Sequence, residues 1–285
     1  MGTGRRLLTV AFSLLAAVSL VASHPAQAPA STTQPYRILI SNDDGVRAPG
    51  ILALAEALRD VGEITVAAPA DNQSGKGHSI VTSDPIFVDN VTLAGGISAF
   101  SISGTPATSV KVALGALMPQ KADLVVTGIN RGYNLGMVTY VSGTAGGARE
   151  AALQGIPAIA SSLAVEETEY RPAAQIVKQV AELVKQHGLD KGVFLNVNIP
   201  AGPASAIKGI QLTTQSSLTG VERFEEQKSP RGRRLFWSVW TEPTGAPEGT
   251  DVWATEHGYA AVTPLRAGEF DAKSYETWRT RVMPK

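Results

Sequence analysis

Residues 37–45 read Arg-Ile-Leu-Ile-Ser-Asn-Asp-Asp-Gly, an apolar run that passes directly into two adjacent carboxylates. A continuous apolar run bounded by polar residues is typical of a strand that is buried on both faces. Adjacent carboxylates at the end of such a strand repel each other and lose solvation, so they need a compensating cation, which a hard divalent ion supplies. An Asp-rich turn that caps a helix beginning near Pro49 is the alternative explanation.

Strand-like runs alternate with helix-like stretches from residue 36 to about residue 200. The predicted strands are 37–41, 64–67, 97–102, 124–127, 156–161 and 194–198. The predicted helices are 49–58, 106–117, 143–154 and 172–187. This alternation predicts an α/β fold, a three-layer Rossmann-like domain whose mostly parallel sheet is covered on both faces. Ligands of such sheets bind at the carboxyl ends of the strands.

The pattern changes after Pro200. Extended strands are predicted at 207–214 and 234–240, with a polar stretch at 222–234 between them. A loop at 243–249, a short helix at 250–258 and a final strand at 259–263 follow. The span 201–245 therefore predicts a C-terminal extended β-arm, of the kind that often makes subunit contacts, within a single domain covering 36–285.

The N-terminus has the three parts of a secretory signal. Arg5 and Arg6 precede an apolar run at 7–22, and Ala26-Gln27-Ala28 follows. The run is shorter than the roughly 20 residues that a membrane-spanning helix needs. We expect a signal peptide at 1–28 that is cleaved near Ala28, a short leader at 29–35, and an exported protein that is periplasmic or secreted. An uncleaved N-terminal anchor is the alternative.

The composition excludes several classes of protein and site. Lys plus Arg and Asp plus Glu both total 25, so no basic surplus exists to bind a nucleic-acid duplex. The absence of cysteine excludes disulfides, thiolate zinc sites, iron–sulfur clusters and a cysteine nucleophile. The sequence also lacks a Gly-x-Ser-x-Gly elbow and a His-x-x-x-His pair. The remaining metal ligands are oxygens, which suit Mg²⁺, Mn²⁺ or Ca²⁺.

Three more glycine-rich polar loops occur at 71–78, 128–136 and 142–147. Such loops present backbone N–H groups, and a helix N-terminus favours an anion. The loop at 142–147 is thus predicted to cradle a phosphate, with a capped and closely packed helix start as the alternative. Together with the loop at 42–45, these segments predict one site at one edge of the sheet.

Twelve different short motifs lie along the chain, at 40–45, 48–51, 68–69, 72–75, 104–107, 126–130, 134–136, 140–144, 155–161, 196–200, 250–251 and 258–265. In their order and spacing they resemble the SurE survival-protein phosphatases, which are nucleoside monophosphate phosphatases. The resemblance extends from Tyr36 to Leu265. It implies a SurE-like fold, divalent-metal-dependent hydrolysis of nucleoside 5′- and 3′-monophosphates, and a homodimer or homotetramer whose arm resembles the family's subunit-exchanging segment.

The resemblance also implies roles for individual residues. The metal, Mg²⁺ or Mn²⁺ with Ca²⁺ as a further option, is expected on Asp43, Asp44, Ser74 and Asn130. Asn42 is expected to orient the site. Carboxylate chemistry, separately from the resemblance, leads us to expect that Asp43 accepts the proton of the attacking water. The phosphate pocket is expected to be lined by Asn134, Ser142, Gly143 and Thr144. Two departures from the family pattern are an inserted Val141 and His78, which stands where many relatives carry Arg.

Two other functions are compatible with these residues. One is a broad-specificity exported acid phosphatase, and the other is a catalytically inactive protein that binds nucleotides or metal. The four tryptophans, at positions 237, 240, 253 and 278, are predicted to pack structurally. Base stacking by one of them is the alternative.

Overall fold

The structure is a computed structural model that describes residues 1–2, 34–268 and 270–282. Apart from Met1 and Gly2, the predicted signal peptide lies outside the described residues. The predicted leader also lies outside them, up to residue 33. From Pro35 onward, the described chain forms one compact unit. Within the described ranges, none of the helices combines the length and the apolar character that crossing a bilayer requires.

The core of this unit is a nine-stranded sheet. The described residues form eleven strands, nine of which belong to this sheet. They are β1 (Arg37–Ser41), β2 (Glu63–Pro69), β3 (Val88–Thr92), β4 (Ser98–Ile102), β5 (Leu124–Arg131), β6 (Ala158–Leu163), β7 (Val193–Ile199), β8 (Ile210–Leu212), β9 (Val221–Lys228), β10 (Arg234–Thr241) and β11 (Ala260–Arg266). Their order in the sheet is β3-β4-β2-β1-β5-β6-β7-β11-β8, while β9 and β10 form a separate pair. Only the β3–β4 and β7–β11 pairs of the sheet are antiparallel, so the prediction of a mostly parallel sheet is confirmed.

Helices cover both faces of the sheet. The covering helices are α1 (Pro49–Leu58), α2 (Pro106–Val112), α3 (Gly143–Leu153), α4 (Tyr170–His187) and α5 (Asp251–Glu256), and the exposed helix α6 (Ala272–Val282) follows at the C-terminal end of the described residues. In β1, Ile38 and Ile40 pack in one buried cluster with α1 and α4. Leu39 packs in another cluster with α2 and α3. Burial on both faces explains the continuous apolar run of β1 and confirms the three-layer architecture.

Three elements were not predicted, namely β3, β9 and α6. The segment 222–234, predicted to be a polar connection, contains most of β9, which pairs antiparallel with β10. All eight residues of β9 are exposed, so no buried face imposes a period of two on its side chains. The strand predicted at 207–214 is shorter in the structure, where β8 covers only Ile210–Leu212.

The topology places one crevice at the centre of the sheet. From β1 the chain moves to β2 on one side and later returns to β5 on the other side of β1. This reversal creates the switch point at which open α/β sheets bind ligands, beyond the carboxyl ends of their strands. The loops that follow β1, β2 and β5 and the N-terminus of α3 meet there.

Candidate active site

Asp43 is the most buried carboxylate at this crevice, with a side chain that is only 3% exposed. The Thr144 hydroxyl donates a hydrogen bond to Asp43 Oδ1 at 2.6 Å, and the backbone N–H of Gln73 donates to the Asp43 carbonyl at 2.7 Å. A Cβ placed on Gly143 would lie 2.9 Å from Asp43 Cβ and 3.0 Å from Oδ2. The space beside Asp43 therefore exists only because residue 143 is a glycine.

Asp44 follows Asp43 in the same loop, and it lines the neighbouring cavity. The backbone N–H of Arg131 donates to Asp44 Oδ2 at 3.1 Å. Burial raises the pKa of Asp43 to about 6, and the charge of Asp44 adds to this shift, while the hydrogen bond from Thr144 opposes it. Burial also raises the pKa of Asp44, against the influence of Arg131. The charges of both carboxylates are thus compensated only in part by the described protein groups.

Asn130 and Ser74 add neutral oxygen donors to the two carboxylates. The Asn130 amide nitrogen donates to the Gly132 carbonyl at 2.7 Å, which leaves its Oδ1 available to a ligand. The pairing of β5 with β6 shifts register between Thr127 and Asn130, and irregularities of this kind redirect side chains near sites. Asn130 and Ser74 line one cavity together with Asp43.

The donor set fits a hard divalent cation, because carboxylate, amide and hydroxyl oxygens are what such ions prefer. In the part of the chain that the structure describes, no three His, Cys, Asp or Glu side chains cluster to hold a metal. A metal at this crevice would therefore depend on Asn130 and Ser74 as well as on the two aspartates.

Asn42 shapes the loop without lining the cavity. Its side-chain nitrogen donates to the Gly45 carbonyl at 2.8 Å, and the residue is fully buried. Asn42 thus fixes the turn that carries Asp43 and Asp44, and its role in orienting the site stays a prediction.

Asn134 is held in place by two buried asparagines of β7. Its backbone N–H donates to Asn198 Oδ1 at 2.8 Å, and its carbonyl accepts hydrogen bonds from the Asn196 and Asn198 amides at 2.8 and 3.3 Å. Its own amide donates to Ser162 Oγ at 2.8 Å. From the sequence, no role was predicted for Asn196 and Asn198. The signal was present, because two amides that alternate in an apolar strand indicate a buried polar network.

The N-terminus of α3 reaches the cavity through Ser142. The Ser142 hydroxyl accepts a hydrogen bond from the Ala145 N–H at 3.0 Å and caps the helix, and the residue lines the cavity. Gly143 and Thr144 contact Asp43 rather than forming the cavity wall. The structure therefore brings Ser142 to the cavity and places Thr144 behind Asp43.

The two departures from the family pattern occupy different places. Val141 lines the cavity, and its carbonyl accepts a hydrogen bond from the Gly77 N–H at 2.9 Å. His78 does not line this cavity, and its Nε2 lies 2.9 Å from a carboxylate oxygen of the buried Glu150 in α3. The inserted valine is thus part of the site, whereas His78 links the loop after β2 to α3.

The cavity has a volume of about 590 Å³ and a second wall that sequence reasoning missed. Ser238, Trp240 and Glu242, at the end of the β9–β10 hairpin, face the residues of the sheet edge across it. The signal available in the sequence was the cluster of tryptophans, which does not show which of them reaches the site. A neighbouring cavity of about 710 Å³ lies beside Asp44, with Arg47 and Tyr170 in its walls.

Comparisons with known proteins agree with this geometry. The family model described as survival protein SurE matches residues 38–220. A 5′-nucleotidase SurE of Geobacter sulfurreducens is 43% identical over 231 residues, which cover 80% of this chain and 87% of that protein. A 5′-nucleotidase SurE of Cytophaga hutchinsonii is 42% identical, covering 80% and 89%. The crystal structure of the SurE protein from Aquifex aeolicus superposes with a TM-score of 0.75 at 36% identity, covering 86% of this chain and 99% of that one.

Proposed function

The chain belongs to the survival protein SurE family, and we therefore propose that it hydrolyses nucleoside 5′- and 3′-monophosphates to nucleoside and phosphate in a divalent-metal-dependent reaction. The observation that carries this proposal is the buried Asp43, which lines one cavity with Asn130 and Ser74 and is followed in the chain by Asp44, at the neighbouring cavity. The relatives named 5′-nucleotidase support the 5′ part of the proposal. The 3′ part rests on the resemblance of the motifs.

Asp43, Asp44, Ser74 and Asn130 are the residues that would hold Mg²⁺ or Mn²⁺, with Ca²⁺ as a further candidate. When bound, such an ion polarises phosphoryl oxygens and makes a bound water more acidic. The residues fit this ion because the carboxylates bring negative charge that the described protein atoms compensate only in part.

The chain's own groups would perform three tasks in the reaction. Asp43 accepts the proton of the attacking water, at Oδ2, because Thr144 already donates to Oδ1. The N-terminus of α3 and the Ser142 hydroxyl stabilise negative charge on the phosphoryl oxygens, since the helix end carries a partial positive charge. Asn42 and the Asn134 network keep the two loops in position.

The decisive experiment measures phosphate release by the purified mature protein from AMP, 3′-AMP and p-nitrophenyl phosphate, with Mg²⁺, Mn²⁺ or EDTA. Metal-dependent release that favours the nucleotides is the expected result. Equal rates on all three substrates would instead identify a broad-specificity acid phosphatase. No release with any metal would favour the inactive nucleotide- or metal-binding protein.

We also propose that the protein acts outside the cytoplasm, on scavenged nucleotides, because its first 28 residues have the composition of a secretory signal. N-terminal sequencing of the protein from the periplasm or the medium tests this proposal. A mature chain that begins near residue 29 is expected, and a chain that retains Arg5 and Arg6 in the membrane fraction would contradict it.

A further inference from the structure

One wall of the catalytic cavity has no part in the chemistry described so far. It consists of Ser238, Trp240 and Glu242, which the hairpin brings against the cavity that also contains Asp43 and Ser142. A volume of about 590 Å³ lies within the range of roughly 300–1,000 Å³ that is typical of sites for whole small molecules. The cavity is therefore large enough for an organic group attached to the phosphate.

Trp240 presents an aromatic surface in a fixed position. A Cβ on Gly220 would overlap Cζ2 of the Trp240 ring, so the indole packs directly against the Gly220 backbone. Trp240 also pairs with Glu222 in the β9–β10 ladder. Yet 43% of Trp240 remains exposed, which is a large apolar area for a residue at the edge of a polar cavity. Fixed aromatic surfaces of this kind bind flat rings by stacking.

Glu242 adds an acceptor beside this surface. Its Oε2 is buried and has no hydrogen-bond partner among the described residues. Burial raises the pKa of Glu242, the Trp240 side chain opposes the shift, and Glu166 adds to it. An ionised carboxylate repels a phosphate, and it accepts hydrogen bonds but donates none. Glu242 therefore suits a part of the substrate that carries a hydrogen-bond donor.

We propose that Trp240 and Glu242 form the nucleoside-binding part of the cavity, in which the base stacks on the Trp240 indole and an N–H group of the base donates to Glu242 Oε2. The inference rests on the proposed nucleotidase function and adds the element that selects the substrate. The base, rather than the sugar, is assigned to Glu242 because this carboxylate interacts with the edge of the same indole on which the base lies.

The other tryptophan of β10 provides a matched control. Side chains alternate between the two faces of a strand, so Trp237 lies on the face opposite to Trp240. It is 60% exposed, it pairs with Glu225, and its indole N–H donates to Gln227 Oε1 at 3.2 Å. Trp237 and Glu225 do not line the cavity, so alanine at either position leaves substrate selection unchanged.

The test compares AMP with ribose 5-phosphate, which keeps the 5-phosphate and the ribose but carries an anomeric hydroxyl in place of the base. With Mg²⁺ or Mn²⁺, Trp240→Ala is expected to raise KM for AMP at least about fivefold, the lower end of the effect of losing one base–aromatic stack. KM for ribose 5-phosphate and kcat for both substrates should change less than about twofold. Glu242→Ala should act in the same direction, and Glu242→Gln should recover part of the loss because its amide oxygen still accepts a hydrogen bond.

Each remaining outcome has a defined meaning. An equal rise of KM for both substrates would overturn the assignment of this wall to the base, and so would unchanged constants for AMP. Should Trp240→Ala fail to fold, Trp240→Leu keeps an apolar contact with Gly220 while removing the aromatic ring. If the unmodified protein releases phosphate from neither substrate with either metal, the proposed function fails, which is distinct from failure of this inference.

Discussion

Asp43 is a carboxylate whose buried surroundings shift its titration towards the protonated form. Burial raises its pKa to about 6, above the ordinary value of about 4 for an aspartate. In the metal-free protein, the folded state therefore binds more protons than the unfolded state between these two values. The contribution of Asp43 to folding is consequently most favourable at low pH and becomes less favourable as the pH rises towards 6.

Replacing the charge at this position separates chemistry from folding. Asp43→Asn should abolish phosphate release, because the amide brings no negative charge to a cation and does not accept a proton. Its thermal midpoint without metal at pH 8 should equal or exceed that of the unmodified protein, because an uncompensated buried charge is removed. Phosphate assays and thermal unfolding check both statements. Asp60→Asn, at an exposed ion pair with Lys178, is the control, and full activity of Asp43→Asn would contradict the assignment.

In the proposed site, protons and Mg²⁺ compete for the Asp43 carboxylate. The increase of the thermal midpoint caused by millimolar Mg²⁺ should be largest near pH 8 and should shrink as the pH falls through about 6, because protonation of Asp43 removes a ligand. Thermal unfolding with and without Mg²⁺ across this range measures the effect. An Mg²⁺ effect that is constant from pH 8 to pH 5 would show that Asp43 is not a ligand.

The Thr144 hydroxyl tunes the same group. Its hydrogen bond to Asp43 lowers the pKa of that carboxyl, so Thr144→Val should move the pH at which the Mg²⁺ effect is half lost to a higher value. Thr144→Ser keeps the hydroxyl and should restore the original pH. Identical profiles for the Val and Ser variants would exclude this role.

At the scale of elements, α3 and the loop after β1 are fitted to each other. Gly143, the first residue of α3, lies so close to Asp43 that a side chain at position 143 displaces the carboxylate. The helix end and Asp43 are thereby fixed relative to each other, which is how a rigid element positions a site on a loop.

Gly143→Ala should therefore reduce kcat/KM for AMP by at least about tenfold, since small displacements of catalytic groups cost orders of magnitude in rate. The apparent affinity for Mg²⁺ should fall as well. Gly115→Ala is the control, because Gly115 is exposed and a Cβ there meets no atom within 4 Å. Steady-state kinetics check the prediction, and equal activity of the two variants would refute it.

The elements differ in how well the sequence predicted them. β1, β5 and α4 carry apolar patterns that follow their burial, so the sheet and the positions of Asp43 and Asn130 could be predicted. β9 has no buried face and therefore no pattern. Trp240 and Glu242 reach the cavity only because the hairpin folds back over a sheet edge built from residues far earlier in the chain, and such a contact leaves no local signal.

At the scale of the whole molecule, the hairpin extends apolar side chains into solvent. Phe236 is 53% exposed and Phe224 64% exposed on two exposed strands. Exposed apolar surface of this kind is common at sites of protein association. The sequence resemblance predicts a homodimer or homotetramer, and the described surface offers the hairpin as the contact.

Light scattering of the purified protein is expected to give the mass of a dimer or tetramer, and Phe236→Glu is expected to lower it. The reason is that a carboxylate in an apolar contact loses its hydration without gaining a partner. Phe87→Glu, at another exposed phenylalanine outside the hairpin, controls for the added charge. A mass that is the same for both variants would place the contact elsewhere.

The cavity walls come from two parts of the chain, the loops at the sheet edge and the β9–β10 hairpin, and this separation has a consequence for substrate selection. The groups proposed for hydrolysis sit on loops braced by the central sheet, whereas the surface proposed to choose the substrate belongs to a peripheral ribbon, residues 220–242, that adds nothing to the two main hydrophobic cores. Mutations in the ribbon can therefore alter which phosphate esters are accepted without endangering stability or turnover. As proposed, hydrolysis and substrate selection thus depend on different parts of the fold, so a change in the ribbon can alter one and leave the other in place.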